Sequence, residues 1–385
     1  MKPTRILQVL TIMNRGGAET MIMNYYRALD RSMVQFDFLL HRTEKGAFDD
    51  EIKAMGGRIF YMPAINPKNY FEYKKKLNIF FKNHSEYNVV HSHLNALSGI
   101  LLSVAKKQGI KIRIAHAHLA VEPYAIKKIF YKNTDIKATV KDSIQSVLRF
   151  TTPKHATHYF ACGKKAGTWL FGEKLAPQVT VINNAIHTEN FSFNIETRNS
   201  LKAELKLENK KVIGHVGRFN EQKNHFFLLD IFKEVIKSHH DTVLVLIGDG
   251  NLRTKLEEKV AALQLNNHVR FLGVRTDIAE LLQVFDVFLF PSLYEGLPVT
   301  LVEAQAAGLK IVASNTITNE VDITNTISFL PLEASPKTWA KTILNSWNYE
   351  RVNTFDQIKN GKYDIHENAK SLENFYLKNS TYVRN

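Results

Sequence analysis

The chain holds one cysteine, Cys162, among 385 residues. No intrachain disulfide can form from it, and a reducing compartment is expected. No apolar run approaches the roughly 18–20 residues that span a bilayer. The first apolar run, residues 6–13, breaks at Asn14, Arg15, Gly16 and Gly17, and no small-residue cleavage site follows. The expectation is a cytoplasmic chain with no secretory leader. Short-period repeats and low-complexity tracts are lacking, as are helix-turn-helix, zinc-finger and RNA-binding signatures. The third glycine of the dinucleotide-binding fingerprint is also missing after Gly16 and Gly17.

The length suits two domains, each large enough to bury a core. Net charge is +14, and its placement is uneven. The first 180 residues carry 28 Lys and Arg against 13 Asp and Glu, while the rest carry 23 against 24. A polyanion met by the first half alone would account for this: nucleic acid, anionic lipid or a phosphorylated acceptor. Two basic segments there are rich in aromatics. Residues 68–82 mix Lys74, Lys75, Lys76 and Lys82 with Tyr70, Phe71, Tyr73, Phe80 and Phe81. Residues 124–154 set Lys127, Lys128, Lys132, Lys137, Lys141, Arg149 and Lys154 beside Phe130, Tyr131, Val147, Leu148 and Phe150. Such mixtures suit amphipathic helices lying on anionic lipid, or solvated helix faces with aromatics turned to a core.

Strand-like runs alternate with helical patterns, the signature of parallel α/β architecture. In the first half the predicted strands are 6–13, 34–41, 58–62, 89–93, 112–116, 158–161 and 179–182. The pattern restarts with 212–217, 242–247, 269–272, 287–290, 310–313 and 327–330. Residues 188–211, polar and poor in strand signals, read as a linker and hinge. A last helical pattern over 366–377 could pack on either half.

Four motifs could carry chemistry. The run 291–304 follows a buried strand and opens a helix, with Pro298 as its expected first position. Glu295 falls in the loop at the strand's carboxyl end, and Glu303 about one and a half turns into the helix. That edge of a parallel sheet is where ligands bind, and a carboxylate there can accept from sugar or ribose hydroxyls. The amides at the helix start would suit a phosphate. In the second motif, Gly217 ends a strand, and Arg218 and Lys223 lie in the following loop, where two cations would suit a diphosphate leaving group. In the third, Gly16 and Gly17 allow close backbone approach to a ligand at a helix start, or form a ligand-free tight turn. In the fourth, His91 with His93 and His116 with His118 alternate, so each pair shares one strand face. Polar residues lining a cleft between domains are favoured for these over a metal site, since no carboxylate partner stands nearby.

Taken together, these residues resemble the family-four (group 1) retaining glycosyltransferases over almost the whole chain, most densely from 212 to 322. The resemblance rests on Gly217, Arg218, Phe219, Gln222, Lys223, Asn224 and His225, and on the run from Ser314 to Val321. It lies nearest to exopolysaccharide and capsule members from bacteria. It implies the GT-B architecture: two Rossmann-like parallel-sheet domains facing each other across a cleft, here 1–187 and 188–364, with a final helix (365–385) returning to the first. By the same resemblance Glu295 holds donor-sugar hydroxyls and Glu303 the donor ribose. Arg218 and Lys223 neutralise the departing diphosphate, and amides around Leu297, Pro298 and Val299 support sugar and phosphate. Gly16 and Gly17 set amides near the phosphates and the acceptor entrance. His118 contacts the donor sugar, with His116 in reserve. The donor implied is a nucleotide-sugar, UDP-linked by family habit, and retention needs neither a protein nucleophile nor a metal cofactor. That agrees with the lack of an Asp-x-Asp pair at a strand end. The family's linker ends in Asp where this chain has His187, to which no role is given.

The acceptor expected is a polyprenyl-diphosphate-linked or other glycan, reached by peripheral contact of the basic first half with the inner face of the membrane. A sugar-nucleotide epimerase of the same architecture is the nearest rival, and a nucleic-acid-binding protein a more distant one. Nucleic acid is not an expected partner.

Overall fold

A computed structural model describes residues 2–118 and 145–381. The chain divides into two compact units, residues 1–185 with 365–385, and residues 186–364. The basic segment 124–154 lies mostly outside the described residues.

The first unit is built on a seven-stranded sheet: β1 (Thr4–Leu10), β2 (Val34–Leu40), β3 (Ile59–Tyr61), β4 (Val89–Ser92), β5 (Ile112–Ala117), β6 (His158–Ala161) and β7 (Thr180–Val181). Their order is β3-β2-β1-β4-β5-β6-β7, every pair parallel. All seven residues of β2 are buried, as expected of a strand covered on both faces. The first strand ends at Leu10 rather than residue 13. Met13 has already left the ladder, and its carbonyl accepts from Phe48 N at 3.0 Å. Helix Ile365–Thr381 belongs to this unit. It places Ile365, Ala369, Leu372 and Tyr376 on one helical face within the core formed by helix Gly17–Ala28 and the first strands.

The second unit repeats the plan with six parallel strands: β8 (Lys211–Val216), β9 (Thr242–Ile247), β10 (Val269–Gly273), β11 (Val287–Phe290), β12 (Lys310–Ser314) and β13 (Ile327–Leu330), ordered β10-β9-β8-β11-β12-β13. Helix His225–Ile236 buries Leu228, Leu229, Ile231, Phe232 and Val235 against it. Gly214 in β8 is held to glycine by packing, because a Cβ there would lie 2.0 Å from the Phe285 ring.

Residues 188–211 are not the structureless linker their polarity suggests. They form helices Thr188–Phe191 and Ile195–Glu204, part of the second unit. Asn194 caps the latter through Thr197 N at 2.8 Å. Arg198 then donates to the carbonyls of Gln283, Val284 and Phe285 and pairs with Asp286 at 2.7 Å. The polar composition that suggested a linker is the composition of these fastenings.

One charge cluster holds the edge of the first sheet. Asp37, fully buried in β2, accepts from Arg5 Nε at 2.6 Å, from Arg58 N and Nη2 at 2.8 Å each, and from the Tyr87 hydroxyl at 2.6 Å. Burial works to raise its pKa, but the bonds from Arg5, Arg58 and Tyr87 outweigh it and hold the carboxyl below its usual range. Its stabilisation is therefore present above the unfolded carboxyl pKa and is lost as pH falls through the lower folded value. Replacing Asp37 by Ala strands two cations beside an apolar strand, and stability should drop by about 3 kcal/mol, measurable by urea unfolding at pH 7. The deficit against wild type should shrink at acid pH; an equal deficit at all pH values would dismiss the charge as its source.

Candidate active site

In a doubly wound parallel sheet, ligands bind where neighbouring strands send their connections to opposite sides. In the second unit that point lies between β8 and β11. The loops leaving these two strands carry Arg218 and Lys223, and Glu295, so the fold brings the sequence candidates together. They are stitched to one another. Leu293 N donates to Gln222 O at 2.8 Å, Gln222 Nε2 to Tyr294 O at 2.9 Å, and Asn224 Nδ2 to Pro291 O at 3.1 Å. Asn220 caps the short turn Glu221–Lys223 by accepting from Lys223 N at 3.2 Å, and Asn224 ends it in the left-handed region, φ 55°.

Lys223 and Glu295 form an ion pair, Nζ to Oε1 2.7 Å, with only 14% and 9% of their side chains accessible. The ammonium also sits 4.5 Å from the centre of the Phe290 ring. The spacing of these two residues in the chain assigns them separate tasks and does not foretell the pairing. An ammonium has three donors, so this pair leaves capacity for a second anion. Arg218 is exposed, and no described residue pairs with its guanidinium.

Helix Val299–Ala306 starts one residue later than expected, with Pro298 as the residue before its first turn. Leu297 and Pro298 are buried, and Val299 is half-buried. The carboxyl of Glu303, in this helix, makes no hydrogen bond or ion pair with any described residue, and burial pushes it up to about 7. A further contribution escaped the sequence reading. Gly248, after β9, has φ 134°, and a Cβ there would stand 2.1 Å from Gly217 O. The signal was the Gly248, Asp249, Gly250 triplet at a strand end.

In the first unit the corresponding point lies between β1 and β4. Gly16 precedes helix Gly17–Ala28 with φ −101° and ψ 170°, a conformation open to any residue, so the turn itself does not require glycine. A Cβ on Gly17 would meet nothing within 4 Å. Open space above backbone is what a close ligand approach would use.

The four histidines do meet, but three of them are buried rather than lining an open surface: His91 at 2% exposure, His93 at 7% and His116 at 0%. His118, partly accessible, bonds His93 Nδ1 through its Nε2 at 2.8 Å. His91 Nε2 and His116 Nδ1 are 3.1 Å apart. Burial holds all four imidazoles neutral, His118 down to about 3. Ring nitrogens of His91, His93 and His116 come within 4.8 Å of one another, close enough to consider a metal. These nitrogens are already engaged, however: His91 Nε2 with His116 Nδ1, His91 Nδ1 with the Tyr376 hydroxyl, and both nitrogens of His93 with Gln8 and His118.

Comparison with known proteins bears on this arrangement. Residues 196–344 match the family model for glycosyl transferases group 1. EpsF of Bacillus subtilis (strain 168), which bears the name glycosyltransferase, is 37% identical over 382 residues, 97% of this chain and 96% of that one. The chain belongs to the group 1 glycosyltransferases. This transferase is also similar to the capsular polysaccharide biosynthesis glycosyltransferase CapH of Staphylococcus aureus, at 28% identity over 97% of this chain and 98% of CapH. An Escherichia coli enzyme named UDP-Gal:alpha-D-GlcNAc-diphosphoundecaprenol alpha-1,3-galactosyltransferase is 28% identical over 73% of this chain and 72% of its own. Among solved structures, Anabaena HepE in complex with UDP and glucose superposes with a TM-score of 0.69 at 18% identity, covering 98% of this transferase and 96% of HepE. The architecture is GT-B, and the epimerase reading is not favoured.

The state of Glu303 gives a test that needs no substrate. Its folded pKa stands above the unfolded value near 4.5, so the folded transferase binds that proton more tightly. Desolvation therefore costs nothing below about pH 4.5 and reaches its full size above about pH 7. Glu303→Gln should raise stability at pH 8 by about 2 kcal/mol and leave it unchanged at pH 4.5, read by denaturant unfolding. An equal effect at both pH values would show that Glu303 ionises normally.

Proposed function

We propose that this transferase moves a sugar from a UDP-sugar to a lipid-diphosphate-linked glycan, with retention of configuration, in exopolysaccharide or capsule synthesis. The observation that carries the reading is the gathering of Arg218, Lys223 and Glu295 at the second unit's switch point, with an unpartnered Glu303 in the helix that follows. Support for UDP comes from HepE, and for a lipid-diphosphate acceptor from the Escherichia coli relative. CapH supports the pathway.

In this mechanism the acceptor hydroxyl approaches the anomeric carbon on the face the diphosphate leaves. The carbon–oxygen bond to phosphate breaks, the bond to the acceptor oxygen forms, and the acceptor proton passes to the departing phosphate. Charge collects on the diphosphate, where Arg218 and the spare donors of Lys223 stabilise it. Amides at the start of helix Val299–Ala306, from Leu297 to Val299 apart from Pro298, which has none to give, add to that stabilisation. Glu295, oriented by Lys223, accepts from sugar hydroxyls, and ionised Glu303 accepts from the ribose. On the first unit, Gly16 and Gly17 receive an anionic group and His118 a sugar hydroxyl. No step calls for a metal.

Glu303→Ala should weaken UDP binding about tenfold or more, as expected when a charged acceptor of hydrogen bonds is lost. Glu295→Ala should leave UDP affinity near wild type and lower kcat with the matching UDP-sugar. Calorimetry with UDP, GDP and ADP, with and without magnesium, followed by turnover assays, checks each. Wild-type behaviour of a variant would take that residue out of the site. Lack of binding by every nucleotide would end the donor-site assignment.

The acceptor's lipid calls for a membrane-facing surface, and helix Tyr70–Asn83 offers one. Tyr73, Leu77 and Phe81 turn inward, so the aromatics are only partly exposed. The opposite stripe carries Phe71, 84% exposed, and Ile79, 49% exposed, with Lys75 and Lys82, and Lys68 just before the helix. Apolar side chains interleaved with lysines match the core-and-headgroup boundary of an anionic leaflet. No helix among the described residues is long and apolar enough to cross a membrane. Replacing Lys68, Lys75 and Lys82 by Ser together with Phe71→Ser should cut sedimentation with phosphatidylglycerol vesicles at least tenfold, given about 1 kcal/mol per lysine near the surface. Undiminished binding would place the contact elsewhere.

A further inference from the structure

The hydrogen bonds around the histidines form a single chain whose direction is set at one residue. Gln8, in β1 and 1% exposed, uses both ends of its amide. Its Oε1 lies 2.9 Å from His93 Nε2, and its Nε2 donates to the Tyr376 hydroxyl at 3.3 Å. An amide oxygen can only accept, so His93 Nε2 carries the proton. Neutral His93 then has a bare Nδ1, which can only accept, and the proton in the 2.8 Å contact to His118 belongs to His118 Nε2. Neutral His118 has one ring proton, so its Nδ1 is a bare acceptor. The second branch follows the same logic. The Tyr376 hydroxyl, receiving from Gln8, donates to His91 Nδ1 at 2.7 Å. His91 Nε2 donates to His116 Nδ1, and the chain ends at His116 Nε2, which is buried and has no partner.

We infer that Gln8 is a positioning residue which, through His93, fixes His118 as its Nε2-protonated tautomer and so presents Nδ1 as an acceptor for a substrate hydroxyl. The last clause rests on the role proposed above for His118; the tautomer does not. Were the Gln8 amide reversed, every proton in the chain would move to the other nitrogen, and His118 Nδ1 would become a donor. The structure places Oε1 toward His93 and Nε2 toward Tyr376, and that orientation sets the direction of the chain. Neutral imidazoles are a condition of the scheme, and the burial that keeps them uncharged supplies it.

The test is long-range nitrogen–proton NMR on the deuterated full chain with ¹⁵N-labelled histidine, the His118 signals being assigned with His118→Asn. Wild type should show His118 with Nε2 protonated and Nδ1 bare. Gln8→Met, similar in shape but without hydrogen bonds, should give averaged tautomer shifts at His93 and His118. Its kcat should fall about tenfold, as for the loss of one substrate hydrogen bond, with the donor KM within a factor of about two. Tyr376→Phe serves as a second variant should Gln8→Met fold poorly. It should alter the His91 signals and leave the His118 tautomer intact, because that branch runs through Gln8 Oε1. A wild-type His118 protonated at Nδ1, a Gln8→Met spectrum unchanged at His118, or a His118 tautomer altered in Tyr376→Phe would each overturn the inference. If the spectra agree but His118→Asn keeps full turnover, the tautomer assignment stands and the substrate role of His118 falls.

Discussion

All-parallel strand pairing is the constraint on which the rest of this molecule depends. It sends every strand's carboxyl end to one edge of its sheet, so residues far apart in sequence become neighbours there without any further device. Gln222 and Tyr294 bond across 72 residues because β8 and β11 are adjacent and point the same way. The same rule brings His93 to His118 across 25 residues, at the ends of β4 and β5. Pairing in this manner needs both sheet faces covered, which explains the continuous burial of β2 and β9. Chemistry at the edges is thus a by-product of how the cores are closed.

The two units use that edge in opposite electrostatic ways. The second holds ions. Lys223 and Glu295 are nearly enclosed, and taking both from water is costly unless each finds a partner. Their bond supplies one, and it also fixes the two loops at a set spacing, together with the backbone bonds from Gln222 and Asn224. The first unit holds dipoles. Four imidazoles, an amide and a phenol share its hydrogen bonds, and burial keeps the imidazoles uncharged. Adding a charge there would put a second proton on a ring whose bare nitrogen is the acceptor for its neighbour.

Much of this was legible in the sequence, for physical reasons that can be named. Buried parallel strands are mostly apolar, so runs such as 242–247 and 287–290 read as strands with the bounds the structure shows. Gly217, Arg218 and Glu295 stood out because loops at strand ends rarely need such residues for packing alone. Residues 188–211 misled for the converse reason. Arg198, Asn194 and Lys202 look solvated in sequence, and only the fold shows Arg198 and Lys202 spent on Asp286 and the end of a neighbouring helix. Gln8 and Tyr376 were invisible. They lie 368 positions apart, and a glutamine inside a strand has no local pattern to mark it. Periodicity finds cores, and motif spacing finds loops; neither finds a polar group whose partner comes from the other end of the chain.

Helix Ile365–Thr381 is held in the first unit by both apolar and polar contacts. Its apolar face, Ile365, Ala369, Leu372 and Tyr376, would be satisfied by any core of suitable shape. The Tyr376 hydroxyl is more demanding. A buried phenol without a partner costs about 1–3 kcal/mol, and here it meets both Gln8 and His91. The helix is therefore specified by polarity as well as by shape, and it closes the histidine chain that β1 and β4 leave open. Helix Ile365–Thr381 thus joins Gln8 of β1 to His91 of β4 through one hydroxyl, a link that neither strand makes by itself.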